Sequence, residues 1–187
     1  MTRPACSRAY PAALAALALA GMLLSAPARA NEPPGALAGA QLAGQGTLRF
    51  LGFEVYRARL WVRPGFDAAD YAAHPLALEL TYHRDFSAEA IAKRSIDEMR
   101  RVGRFTPEQA ARWQAQLQAA LPNVKAGDQL TGVYTPGSSA VFVMGGRTVG
   151  EVADPEFARL FFGIWLSPQT SEPALRQSLI ASARPAP

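Results

Sequence analysis

From Phe53 to Val62 the chain alternates, with Phe53, Val55, Arg57 and Arg59 on one side and Glu54, Tyr56, Ala58, Leu60 and Val62 on the other. That period of two predicts a strand, and the density of aromatic and branched residues extends it back to Leu48, as one long strand or a bent strand pair. Both sides carry large apolar groups, so both faces are expected to be covered. The Gly-, Ala- and Pro-rich stretch from Asn31 to Gly46 reads as an extended lead-in or short edge strand, and Pro64-Gly65 ends the run. Leu76 to Tyr82 predicts a further strand, with Leu76, Leu78, Leu80 and Tyr82 as its apolar face.

The period then lengthens. Ser87 is a candidate N-cap for a helix reaching about Val102, with Ile91, Ser95, Ile96, Met99 and Val102 on one stripe and Gly103 as the stop. Thr106-Pro107-Glu108-Gln109 is a capping box with proline at the first helical position. Its helix buries Ala110, Trp113, Leu117, Ala120 and Leu121 and closes at Pro122. Strands follow at Gln129 to Tyr134, Ala140 to Met144 and Arg147 to Val152, the last two joined by Gly145-Gly146. Asp154-Pro155-Glu156 opens a helix carrying Phe157, Leu160, Phe161 and Ile164, which Ser167-Pro168 interrupts. A last helix is predicted from Pro173 to Ala183, and 184–187 reads as a frayed tail. Tight turns between consecutive strands imply antiparallel pairing, and helices come in pairs rather than alternating with strands. The class is α+β: one curved antiparallel sheet with helices packed on it, in a single domain over 31–183.

Composition changes this picture mainly at the N-terminus. The 187 residues are 49% hydrophobic and 18% charged, enough to build a core. Arg3 and Arg8 precede an apolar run from Ala12 to Leu24, and Ala28-Arg29-Ala30 is a small-x-small cleavage signal. Residues 1–30 therefore read as a cleaved secretory signal peptide, and the expected location is the periplasm. The run is shorter than the roughly 20 residues of a bilayer span, which argues against an uncleaved anchor. The formal charge of +4 falls with it, because Arg3, Arg8 and Arg29 leave and 16 basic residues face 15 acidic ones. A nearly neutral chain without a basic block argues against nucleic-acid binding. Cys6 leaves too, so no disulfide or thiolate chemistry is expected afterwards. His74 and His83 fit no common zinc spacing, and neither a metal nor a cofactor is expected.

Standard catalytic motifs, among them G-x-S-x-G, H-E-x-x-H and the P-loop, are absent. Asp97 and Glu98 are neighbours on a helix and read as solvated rather than as a catalytic pair. What remains is a set of arginines and tyrosines beside apolar strand positions: Arg49, Tyr56, Arg57, Tyr82, Arg84 and Tyr134. A guanidinium fork suits a carboxylate, and a phenol adds a donor. Taken one at a time, such an arginine snorkels outward and such a tyrosine is half-buried core; only convergence makes a site. Phe161-Phe162-Gly163-Ile164-Trp165-Leu166 is too apolar for a surface, and reads either as a core-sealing helix or as a pocket wall in which Gly163 leaves room for a ligand.

Three stretches carry a family resemblance. They are Gly44-x-Gly46 with Arg49-Phe50-Leu51-Gly52-Phe53-Glu54-Val55-Tyr56, then Tyr82-His83-Arg84-Asp85, then Phe157 to Pro168 (FARLFFGIWLSP) with Leu175-Arg176. In this order and spacing they resemble the chalcone isomerase-like family, in particular its bacterial secreted branch. The resemblance implies an open-faced β-sandwich, a large antiparallel sheet against a layer of helices. It does not imply isomerase activity. Authentic chalcone isomerases use an arginine in a glycine-rich segment, a threonine in the long strand, and a helix Tyr and Asn. Here Gly35 to Gly46 holds no arginine, Leu51 falls where the strand threonine is expected, and the two central helices contain neither Tyr nor Asn. The family also includes fatty-acid-binding proteins, in which an Arg/Tyr pair meets the acyl carboxylate. The expectation is a non-catalytic protein binding an apolar, acid-headed ligand such as a fatty acid. Its candidate ligand-binding residues are Arg49, Tyr56, Tyr82, Arg84, Tyr134, Phe161 and Trp165, with Arg49 and Tyr56 at the polar end. The alternatives are an isomerase with a rewired site, and an assembly factor meeting a protein partner in the envelope.

Overall fold

The computed structural model describes residues 37–183. The expected signal peptide at 1–30 and the tail at 184–187 lie outside the described residues.

Six strands form one antiparallel meander in chain order: β1 (Gln41–Phe50), β2 (Phe53–Val62), β3 (Leu76–Tyr82), β4 (Gln129–Tyr134), β5 (Ala140–Met144) and β6 (Arg147–Val152). A short 3-10 segment, Ala68–Ala73, links β2 to β3. Helices α1 (Ala88–Val102), α2 (Pro107–Ala120), α3 (Pro155–Leu166) and α4 (Pro173–Leu179) complete the described elements. This is the expected α+β open-faced β-sandwich.

The first strand region differs from the single long strand and matches the alternative of a pair. A two-residue turn at Leu51 (φ 50°) and Gly52 (φ 82°) splits it into β1 and β2, ten residues each. The lead-in from Gln41 belongs to β1. Leucine hid this turn, because positive φ at both central positions usually selects Asn, Asp or Gly. Leu51 is therefore a turn residue, 81% exposed, and not the counterpart of a strand threonine. The last helix stops at Leu179, short of Ala183.

The helices start where their caps dictate. Ser87 Oγ accepts from the Ala90 N–H, Thr106 and Gln109 close a reciprocal capping box, and Asp154 Oδ1 accepts from the N–H groups of Glu156 and Phe157. Two glycines let helices approach the sheet edges. A Cβ on Gly44 would lie 2.2 Å from the Ser178 carbonyl of α4, and one on Gly150 2.2 Å from the Ala120 carbonyl at the end of α2.

The main core lies between sheet and helices, where Leu60, Leu76, Leu78 and Leu80 meet Met99, Trp113, Phe157 and Phe162. Among the described residues, the reverse face is covered only at one end, by a small cluster of Leu37, Trp61, Ala77 and Val133. Toward the β1–β2 turn that cover gives out, and Arg57 is exposed. Burial of both faces thus holds for half of β2.

Candidate functional site

The helix layer does not fill the space above the sheet. A hollow of about 400 Å³ remains between them, within the range of about 300–1,000 Å³ usual for small-molecule sites. Leu78 and Leu80 of β3 with Leu130 and Gly132 of β4 contribute the sheet side, and Phe161 and Trp165 of α3 form a wall. Across from them α1 presents Ile91, Ser95 and Glu98. Among the lining residues Phe50, Arg84, Ala90 and Arg94 are exposed and mark the mouth.

Alternation on β2 turns Tyr56 toward the helices, where its hydroxyl oxygen accepts a 2.9 Å hydrogen bond from Trp165 Nε1. The register pairs Tyr56 with Tyr82 of β3, and the two rings meet edge to face with centroids 6.1 Å apart. Burial raises the Tyr56 pKa far above its ordinary 10.0, and the Trp165 donor offsets this only in part. Burial does the same to Tyr82. Both phenols stay neutral at physiological pH and offer an O–H inside an apolar hollow. Among the described residues the Tyr82 hydroxyl forms no hydrogen bond, so that donor is available to a guest.

Of the seven predicted ligand-binding residues, Tyr56, Tyr82, Arg84, Phe161 and Trp165 come together around the hollow. Arg84 follows the end of β3 at the mouth, its guanidinium 5.7 Å from the centre of the Phe53 ring. It forms no ion pair among the described residues.

Two predicted residues lie elsewhere. Arg49 is turned away by strand alternation, since its neighbour Leu48 lines the hollow. Its Nη2 sits 2.5 Å from Glu54 Oε1, its cross-strand partner, and the side chain is 62% exposed. The Arg49 hydrogen bond holds the Glu54 carboxyl below its ordinary pKa, helped by His83 Nδ1 at 2.8 Å. Arg49 therefore does not supply the polar end. Tyr134 is also outside the lining. Its hydroxyl donates to the Ala72 carbonyl at 2.9 Å and its ring packs on Phe162, so it braces the 3-10 segment. Arg57 is exposed. Gly163 leaves no room for a ligand: a Cβ there would lie 2.5 Å from the Tyr71 hydroxyl and from Val102.

One cluster escaped the sequence reading. Asp97 is solvated and pairs with Lys93, but Glu98 is buried and lines the hollow. Arg94 reaches Glu98 at 2.6 Å and Arg101 at 3.4 Å. The signal was present, because Ile91, Ser95, Glu98 and Val102 follow the helical period and Arg94 and Glu98 stand four apart. No group of three potential metal ligands occurs among the described residues, and none of their helices is long and apolar enough to cross a membrane.

The family model described as chalcone isomerase-like matches residues 37–181. No curated protein matches the sequence. Among solved structures, an Arabidopsis thaliana fatty-acid binding protein superposes with a TM-score of 0.61 at 12% identity, over 81% of this chain and 92% of that one. The likeness is one of fold: the same sheet and helix layer persist while most side chains differ. The chain belongs to the chalcone isomerase-like family.

Proposed function

We propose that this protein is a non-catalytic carrier of an apolar ligand with an acidic head, of the fatty-acid kind, secreted to the periplasm as a member of a bacterial secreted branch of its family. One observation carries the binding reading: an apolar hollow of about 400 Å³ has an exposed arginine, Arg84, at its mouth with no carboxylate partner among the described residues. A carboxylate at the mouth would accept the guanidinium fork of Arg84, and the tail would run inward over Leu80 and Leu130 toward Phe161. The Tyr82 hydroxyl offers a second donor along the way. Arg94 is a poorer anchor, because Glu98 already holds it. The Arabidopsis relative in fold, a fatty-acid binding protein by its description, supports the ligand class. The N-terminal thirty residues support the location, through their basic start, apolar run and Ala-x-Ala end.

Absence of catalysis rests on the sequence. The glycine-rich segment has no arginine and α1 and α2 have neither Tyr nor Asn, so the donor set that authentic chalcone isomerases use on the enone oxygen is not matched. The experiment is direct. Protein purified from its own envelope is denatured, and released small molecules are read by mass spectrometry. An acyl chain near one per protein supports the proposal; protein that is empty, and stays empty when offered fatty acids, overturns it. Arg84→Met is expected to weaken binding of a free fatty acid by roughly tenfold or more and to leave its methyl ester unaffected. Rapid bleaching of naringenin chalcone would overturn the non-catalytic part alone.

A further inference from the structure

The β1–β2 hairpin ends in an apolar prong. Phe50 is 63% exposed, Leu51 81% and Phe53 65%, three of the four large hydrophobics exposed in the described chain, within four consecutive residues. Packing does not explain them. The turn itself disfavours Leu51, whose φ of 50° is a region that Asn and Gly occupy at lower cost. The β5–β6 turn has the same two positive φ angles and uses Gly145-Gly146. An exposed leucine at a strained turn position points to a contact outside the chain.

What it contacts follows from its place and its charge. Phe50 is both part of the prong and part of the hollow's mouth. Arg84 stands beside the prong, exposed, with its guanidinium 5.7 Å from the centre of the Phe53 ring. Of the nearby acids, Glu54 is paired between Arg49 and His83, while Asp85 keeps its charge and accepts from the Ala126 N–H. An apolar tip with an arginine beside it suits the boundary between headgroups and acyl chains of an anionic bilayer, where rings and leucine sink in and the guanidinium meets a phosphate. We propose that the hairpin Phe50–Phe53 docks on an anionic lipid surface and brings the mouth of the hollow against it. A lipid-like guest then passes between bilayer and hollow without exposing its tail to water. This builds on the reading of the hollow as a lipid site, but docking is tested separately.

The test is flotation of the ligand-stripped mature protein with phosphatidylglycerol–phosphatidylethanolamine vesicles. The wild type is expected to float, and to float less with phosphatidylcholine alone or in high salt. The double variant Leu51→Asn/Phe53→Ser is expected to lose about tenfold or more in partitioning. Asparagine suits this turn, so a folding defect does not account for such a loss, and circular dichroism checks it. Leu51→Trp provides a positive signal, a blue-shifted emission on vesicles that brominated lipid quenches. Ser95→Phe, which fills the hollow, is expected to float like the wild type, so failure of ligand binding and failure of docking are separable. The proposal is overturned if the wild type does not float, if the double variant floats equally well, or if size-exclusion shows that the prong pairs two copies of the chain instead.

Discussion

Helix α3 runs from a packed region to a hollow one, and the same stripe serves both. Phe157, Phe161 and Trp165 stand four apart along it, with successive ring centroids 5.4 and 5.5 Å apart. At the Phe157 end α2 delivers Trp113, which is fully buried against Phe105 and Phe157. Its Nε1 donates to Asp154 Oδ2 at 2.8 Å, tying α2 to the cap of α3. At the Trp165 end α1 offers Ile91 and Ser95, and the sheet offers Gly132. Trp165 there donates to the Tyr56 hydroxyl and lines the hollow. The aromatic stripe thus meets a tryptophan of α2 at one end and the lining of the hollow at the other.

The contrast breaks most visibly at Trp113. Trp113→Ala removes the filler of the packed end and is expected to cost about 3–5 kcal/mol in urea unfolding, with ligand affinity per folded molecule unchanged. At the other end Tyr56→Phe removes only an oxygen, but it leaves Trp165 Nε1 buried without its acceptor. The expected loss is about 1–3 kcal/mol, together with weaker ligand binding. Equal losses at the two ends would mean that the hollow end is held as tightly as the packed one.

A pH series separates the ends as well. Burial tends to raise the Asp154 pKa, but the Phe157 N–H, Trp113, Arg112 and the Glu156 N–H outweigh it and hold the carboxyl below its ordinary 3.8. A depressed folded value means stability present above 3.8 and lost as pH falls through the folded pKa. Asp154→Asn is expected to flatten that acid limb. For the buried tyrosines, Tyr56 and Tyr82 of the hollow among them, the sign reverses. Tyr56, Tyr82 and Tyr134 are all raised by burial, and Tyr71 is pushed up to about 12. Their contribution is present below the ordinary 10.0 and lost as pH rises past it. These are all the tyrosines after residue 30, so tyrosinate absorbance is expected to appear only with alkaline unfolding. A normal titration near pH 10.0 in folded protein would place water around the phenols.

The packed end was the more legible in sequence. Thr106-Pro107-Glu108-Gln109, Asp154-Pro155 and the Trp113 stripe are local signals, and each gave its element. The apolar wall of the hollow was legible for the same reason. The polar end was not, because strand parity decides it: Arg49 and Tyr56 stand seven positions apart, an odd spacing that alternation places on opposite faces. With Leu51-Gly52 inside a β-rich run, the stretch from Leu48 to Val62 read as one long strand or a bent strand pair, and Arg49 and Tyr56 lie on two strands, β1 and β2. Arg84 stood in a short strand-end motif that no turn disturbs. Glu98 was missed because adjacent acids on a helix suggest solvent, although its stripe partners were already assigned to the core.

Filling the hollow sharpens the comparison further. Ser95→Phe puts a ring where α1 now offers a hydroxymethyl group. In a well-packed core such an insertion costs about 1–3 kcal/mol, but facing an empty space it is expected to cost under about 1 kcal/mol while abolishing ligand uptake. A cost as large as in a packed core would show that the space is already closed in solution.

The smallest effect concerns the two hairpin turns. Gly145-Gly146 and Leu51-Gly52 share positive φ at both positions, and only the second carries a side chain there at a steric cost. Leu51→Asn relieves that cost and removes an exposed apolar group. Thermal unfolding is expected to shift upward by a few degrees or less, from a gain of about 0.5–1 kcal/mol. The equivalent change at the other turn, Gly145→Asn, starts from an unstrained glycine, and is expected to do little beyond restricting the unfolded chain. If Leu51→Asn destabilised the protein instead, the leucine would be making a contact within the fold, and the turn's composition would need no external explanation.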